Sequence, residues 1–253
     1  MTLTDLTLTV GKNCADDKNK TTIPGMLIKP DTKSDILIIF TAGIFGKYPD
    51  YIENFGKILG KEFNIYLTEL QNKGFAKGNN LISSNYQIDQ QIRDRIETDN
   101  VIYISHSMGM NIAVETKNKY QTKVRKLYGI CAYPSLGDTQ TNQEDITKES
   151  SLQKLATLIE NSNYGPFAFP LKNQQIDEPI RFAIGDIDEV INTRKPAIAK
   201  RFEEYFLKFP NSSTRLFHNA NHCFNRTPYD FAPFNKDNPT ILIEDIKEFI
   251  YSQ

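Results

Sequence analysis

The 253-residue chain predicts an α/β fold, a mostly parallel central sheet with helices on both faces, and three observations carry that prediction. Strand-like and helix-like stretches alternate along most of the chain, an order that needs right-handed crossovers and so makes neighbouring strands parallel. Ile36-Leu37-Ile38-Ile39-Phe40 is apolar at every position rather than at alternate ones, the pattern of a strand covered on both sides. At residues 101–113 an apolar β-branched run ends in Ser105-His106-Ser107-Met108-Gly109 and passes without a loop into helical spacing at Ile112, Ala113, Thr116 and Tyr120.

The N-terminal elements come first. Leu3, Leu6, Leu8 and Val10 alternate imperfectly with threonines, and Ile23, Met26, Leu27 and Ile28 precede Pro30. Two antiparallel strands joined by the polar segment 12–20 account for this, as an N-terminal edge hairpin. The strand at 36–40 runs into Thr41-Ala42-Gly43-Ile44-Phe45-Gly46. Tyr51, Ile52, Phe55, Ile58 and Leu59 share one face of a helix, and Phe63–Leu67 is the next strand. A loop over 71–78 and a helix marked by Ile88, Ile92 and Ile96 lead to the strand before Ser107.

A strand at 124–132 follows, and then the composition changes. Residues 135–178 hold a polar loop, one apolar helical face and the aromatic, proline-bound run Tyr164–Leu171. This insertion is read as a small lid over a pocket, or as a long crossover in which Phe167 and Phe169 are core residues. The whole chain, 1–253, is expected to be one domain. Pro179–Ile184 is a strand leading into Gly185-Asp186-Ile187-Asp188-Glu189-Val190. Ile198, Phe202, Tyr205, Phe206 and Phe209 line a helix, 213–217 is the last strand, and Asn238-Pro239 caps and opens the final helix.

Composition excludes several classes of function. Thirty Lys and Arg balance 31 Asp and Glu, which leaves no electrostatic footprint for nucleic acid or a polyanionic ligand. The N-terminus has no basic stretch followed by an apolar core, and no run approaches the roughly 20 apolar residues of a membrane span. A cytoplasmic, soluble protein is therefore expected. Cys14, Cys131 and Cys223 are widely spaced, and there are three histidines. Neither a disulfide framework nor a metal site is expected, and no cofactor.

The chemistry centres on Ser107. A buried strand that turns directly into a helix forces its apex residue into a strained backbone conformation with the side chain above the sheet. The positions two before and two after must be small, as Ser105 and Gly109 are. The helix beginning there points free N–H groups toward developing negative charge.

At these residues the chain resembles the α/β-hydrolase family, whose nucleophile elbow reads Gly-x-Ser-x-Gly, often Gly-His-Ser-Met-Gly; Ser105 stands at the first glycine. The resemblance extends over roughly residues 25–250, with the lid region unmatched, and implies an α/β-hydrolase fold. It implies Ser107 as nucleophile, His222 before Cys223-Phe224 as base and Asp188 after Gly185 as acid, in the family's chain order. His218 and Asp186 are the other candidates. Ala42-Gly43-Ile44 resembles the family's His-Gly-x loop, with Ala42 for the histidine, and implies an oxyanion hole from the N–H groups of Ile44 and Met108; a plain turn is the other reading. The loop at 71–78 is similar to the family's Asp-x-Arg-Gly-x-Gly turn, with Gln71 and Lys73 at the charged positions.

The activity implied is hydrolysis of a carboxylic ester or thioester, a small-molecule acyl substrate, with Phe45, Phe167 and Phe169 lining the acyl pocket. The same residues also serve amide or peptide cleavage and acyl transfer, and a hydrolase fold can persist as a binding module with its chemistry lost.

Overall fold

The computed structural model describes residues 1–11, 20–43, 55–68, 81–132, 174–188, 196–222, 224 and 238–252. Among these residues, ten strands form two sheets. The larger has eight strands in the order β1-β4-β6-β5-β7-β8-β9-β10, with β1 (Thr2–Asp5), β4 (Gly25–Lys29), β5 (Leu37–Thr41), β6 (Asn64–Thr68), β7 (Val101–His106), β8 (Lys126–Ile130), β9 (Ile180–Gly185) and β10 (Ser212–Phe217). β4 runs antiparallel to β1 and β6, and every pairing from β6 through β10 is parallel. β5 and β7 lie side by side near the centre, with Thr41 opposite Ser105.

The fully apolar strands owe their composition to cover on both faces. Leu37, Ile39, Val101 and Tyr103 point into one core. That core also takes apolar side chains of helices α2 (Leu81–Ile96), α3 (Gly109–Tyr120) and α4 (Pro196–Phe206). Ile38, Phe40, Ile102 and Ile104 point into the opposite core, with Leu59 of the single turn α1 (Lys57–Leu59) and five apolar residues of α5 (Asn238–Tyr251). Each large apolar side chain so buried contributes about 1.5–3 kcal/mol.

The N-terminal antiparallel hairpin is divided in two. Its inner halves, β2 (Leu8–Gly11) and β3 (Lys20–Ile23), make a separate two-stranded sheet, while β1 and β4 pair at the rim of the large one. Pro24, which has no N–H to give a ladder, stands where β3 ends and β4 begins. The small sheet packs on α2, where the Gly11 N–H donates to Gln87 Oε1 at 2.8 Å and Gln91 Nε2 donates to the Thr9 carbonyl at 3.0 Å.

A polar network ties α5 to the sheet. Arg181 and Arg215 donate to Asp245 Oδ1 at 2.8 and 2.6 Å, and the Tyr128 hydroxyl donates to Oδ2 at 2.5 Å. Burial, reinforced by Asp245, holds the Tyr128 hydroxyl protonated far above the usual phenol range. β8, β9 and β10 are thereby each tied to one helix.

Of the insertion at 135–178, only residues 174–178 lie within the described residues. They return along α3: Asn118 Nδ2 donates to Gln174 Oε1 at 2.9 Å, and Lys117 pairs with Glu178 at 2.7 Å. Among the described residues, no helix is long and apolar enough to cross a membrane.

Candidate active site

The elbow is built by close packing at the carboxyl ends of β5 and β7. Ser107 has φ 52°, a left-handed conformation that a serine adopts only where the surroundings impose it. Its N–H donates to the Ile130 carbonyl at 2.8 Å, so the turn is fastened to β8. Met108 precedes the first turn of α3. A β-carbon on Gly109 would lie 2.3 Å from the Thr41 carbonyl oxygen and 2.8 Å from that of Ala42. No other residue fits there, because α3 starts against the end of β5. Ser105 is fully buried in the middle of the sheet between Thr41 and Gly129, and its hydroxyl has no hydrogen-bond partner among the described residues.

Gly43 faces the same apex: a β-carbon there would stand 2.9 Å from Ser107 Cβ and 3.1 Å from His106 Nδ1. Gly43, two residues past β5, therefore lies directly against the serine. Ile44 and Phe45, expected in the oxyanion hole and acyl pocket, lie outside the described residues, as do Phe167, Phe169 and the loop at 71–78.

Two acid–histidine pairs form beyond β9 and β10. Asp188, wholly buried, accepts a hydrogen bond from His222 Nδ1 at 2.8 Å. Asp186 engages His218 instead: Nδ1 lies 3.0 Å from Oδ2, the Asn219 N–H donates to Oδ1 at 2.6 Å, and the His218 side chain is 81% exposed. The two candidates for each role are thus sorted into a buried pair and a surface pair. Close backbone contact between the loops makes this possible. A β-carbon on Gly185 would meet the Ala220 carbonyl at 2.3 Å, and that carbonyl accepts the Ile187 N–H at 3.1 Å. Phe224, also at positive φ (52°), anchors the end of the histidine loop edge-on against Phe217.

The serine turn and the histidine loop meet through His106. Its Nε2 lies 2.8 Å from the His222 carbonyl, which can only accept, so Nε2 carries the proton. The two imidazoles pack with centroids 4.9 Å apart. Burial, with His222 beside it, pushes the His106 pKa down to about 3, so the ring is neutral at ordinary pH. By its adjacency to Ser107, His106 is expected to turn away from the substrate side; in the structure it is buried and directed to the backbone under His222. Cys131, seen in the sequence only as a reduced thiol, sits just past β8 at φ 43°. Its Sγ and ligand atoms of Asp188 and His222 lie within 4.8 Å of one another. Both residues could have been suspected from topology, since His106 ends β7 and Cys131 follows its neighbour β8, so that both open onto the same rim.

No protein-family model matches the chain, and no curated protein sequence matches it. Solved structures do. An esterase of Pyrococcus furiosus is 15% identical with a TM-score of 0.65, covering 98% of this chain and 90% of that one. Dienelactone hydrolase from Anabaena variabilis is 13% identical at 0.60, covering 98% and 97%. Naproxen esterase from Bacillus subtilis is 10% identical at 0.60, covering 98% and 92%. With this strand order, a left-handed serine between β7 and α3, and these structures superposing over nearly its whole length, the chain has the α/β-hydrolase fold.

Proposed function

We propose that the protein is a serine hydrolase of carboxylic esters or thioesters, with Ser107 as nucleophile, His222 as general base and Asp188 as its orienting acid. The observation that carries this reading is the buried His222–Asp188 hydrogen bond, on a loop joined through His106 to the turn that holds Ser107 at positive φ. Esterases and hydrolases among the proteins of the same fold support it.

A serine hydroxyl is a weak nucleophile at neutral pH and needs a base. With Nδ1–H committed to Asp188, the lone pair of His222 is on Nε2. Nε2 takes the Ser107 proton as Oγ bonds to the acyl carbon. The carbonyl oxygen becomes an oxyanion and accepts from the N–H groups of Met108 and Ile44, each such donor being worth about 3 kcal/mol. Asp188 stabilises the imidazolium. When the intermediate collapses, the bond to the alcohol or thiol breaks and the leaving group takes the proton from Nε2. Water, deprotonated by His222, then attacks the acyl-enzyme and frees the acid and the serine.

The test is labelling with a fluorophosphonate. The wild-type protein should be labelled at Ser107 and Ser107→Ala should not, and a panel of p-nitrophenyl esters, acyl-CoAs and anilides should show turnover of the first two classes. A folded wild-type protein that takes no label and turns over no ester would leave a binding module in place of an enzyme. Turnover confined to anilides would make it an amidase.

A further inference from the structure

We infer that Cys131, Asp188 and His222 form a zinc-binding site whose occupation switches the hydrolase off. The inhibitory part rests on the proposed function; the binding itself does not.

The three residues are far apart in the chain and come from three loops, after β8, after β9 and after β10. In the sequence that spacing argues against a metal site, and the fold removes the objection by placing the three strands side by side. A thiol sulfur, a carboxylate oxygen and an imidazole nitrogen lie within 4.8 Å of one another, and all three residues are buried. Zn²⁺ bonds of about 2.0–2.3 Å in a tetrahedron put ligands about 3.3–3.8 Å apart. The gap to be closed is at most about 1–1.5 Å, and Cys131 has a single side-chain torsion to turn. The donor types suit zinc, which takes thiolate, imidazole and carboxylate together, and they suit calcium or magnesium poorly.

Charge also favours the assembly. Zn²⁺ with one carboxylate and one thiolate is neutral overall, so the loaded site adds no net charge to a buried region. Binding replaces the thiol proton by the metal and releases it to solvent. The imidazole stays neutral: an ion on Nδ1 leaves the ring proton on Nε2, and an ion on Nε2 occupies that nitrogen directly. In either case the lone pair that would take the Ser107 proton is gone, and Asp188 is drawn from imidazole to metal.

The experiment titrates Zn²⁺ into the full-length, reduced protein against a fluorescent zinc indicator, and follows ester hydrolysis in the same samples. One ion per chain is expected, with hydrolysis falling in parallel and returning on chelation. Cys131→Ser should bind Zn²⁺ weaker by about tenfold or more, and whatever ester turnover it has should need correspondingly more Zn²⁺ to inhibit. Co²⁺ substitution supplies a readout that needs no activity, since a thiolate ligand gives a charge-transfer band that Cys131→Ser should lack. No stoichiometric binding, or equal affinity in Cys131→Ser, overturns the zinc site. Zinc and cobalt binding as expected in a protein that hydrolyses nothing would instead overturn the hydrolase reading and leave the site standing.

Discussion

His106 Nε2 donates a 2.8 Å hydrogen bond to the main-chain carbonyl of His222, and the two rings pack at 4.9 Å. The residue before the serine thus holds the loop that carries the proposed base, by a contact that leaves the His222 side chain to Asp188. His106 is a positioning residue in this arrangement. His106→Ala should lower kcat for an ester substrate by about tenfold to a hundredfold, the scale of a misplacement near 1 Å, with KM little changed. His106→Gln, which can still donate to the carbonyl, should recover part of the loss. Equal activity in all three proteins would show that the tether does not set the histidine.

The neutral state of His106 has a consequence for stability. Its folded pKa is about 3 against 6.5 for an ordinary histidine, burial being the main cause. Between those values the unfolded chain binds a proton that the native protein does not. The stabilisation is complete above pH 6.5 and is lost as pH falls toward 3, at up to about 1.4 kcal/mol per pH unit. Carboxylates titrate in the same window, so the comparison is between wild type and His106→Gln. Urea unfolding at several pH values from neutral down should give a shallower decline for the variant, and parallel declines would refute the assignment.

The sorting of acids predicts asymmetric variants. Asp188→Asn leaves the geometry but no longer fixes the tautomer of His222, and should reduce ester hydrolysis by about 10³–10⁴-fold. Asp186→Asn touches a pair with the exposed His218 and keeps an amide oxygen to accept the Asn219 N–H, and should retain nearly full turnover. Steady-state kinetics on one p-nitrophenyl ester distinguishes the two, and the opposite ranking would transfer the role to Asp186.

Around the elbow, the two small residues are small for different reasons. Gly109→Ala drives a β-carbon into the Thr41 carbonyl, which should cost about 1–3 kcal/mol and displace the start of α3. Ser105→Ala removes a buried hydroxyl with no partner among the described residues and should be neutral or stabilising by up to about 1 kcal/mol. Chemical denaturation of both variants checks this; destabilisation by Ser105→Ala would mean that the hydroxyl is satisfied in solution.

Much of the site was legible in sequence because an elbow is a local event. An apolar strand, Ser107 and Gly109 within a few residues are enough to predict both the turn and the strain, which appears as φ 52°. The hairpin was legible as two antiparallel strands but not as two sheets, since the division depends on how β2 and β3 dock on α2. His106 and Cys131 had no local signature. Their significance comes from which loops lie across from them, and periodicity carries no information about that.

By itself the sequence determined the order of elements, the parallel core and the candidate serine, acid and histidine, because burial on both faces and a strand-to-helix turn both leave marks within a short window of residues. Only the tertiary structure decided that Asp188, rather than Asp186, meets His222, and that Cys131 joins them. The acids are two positions apart on one turn after β9, and which of them points inward is set by the approach of Gly185 to Ala220, a contact between loops.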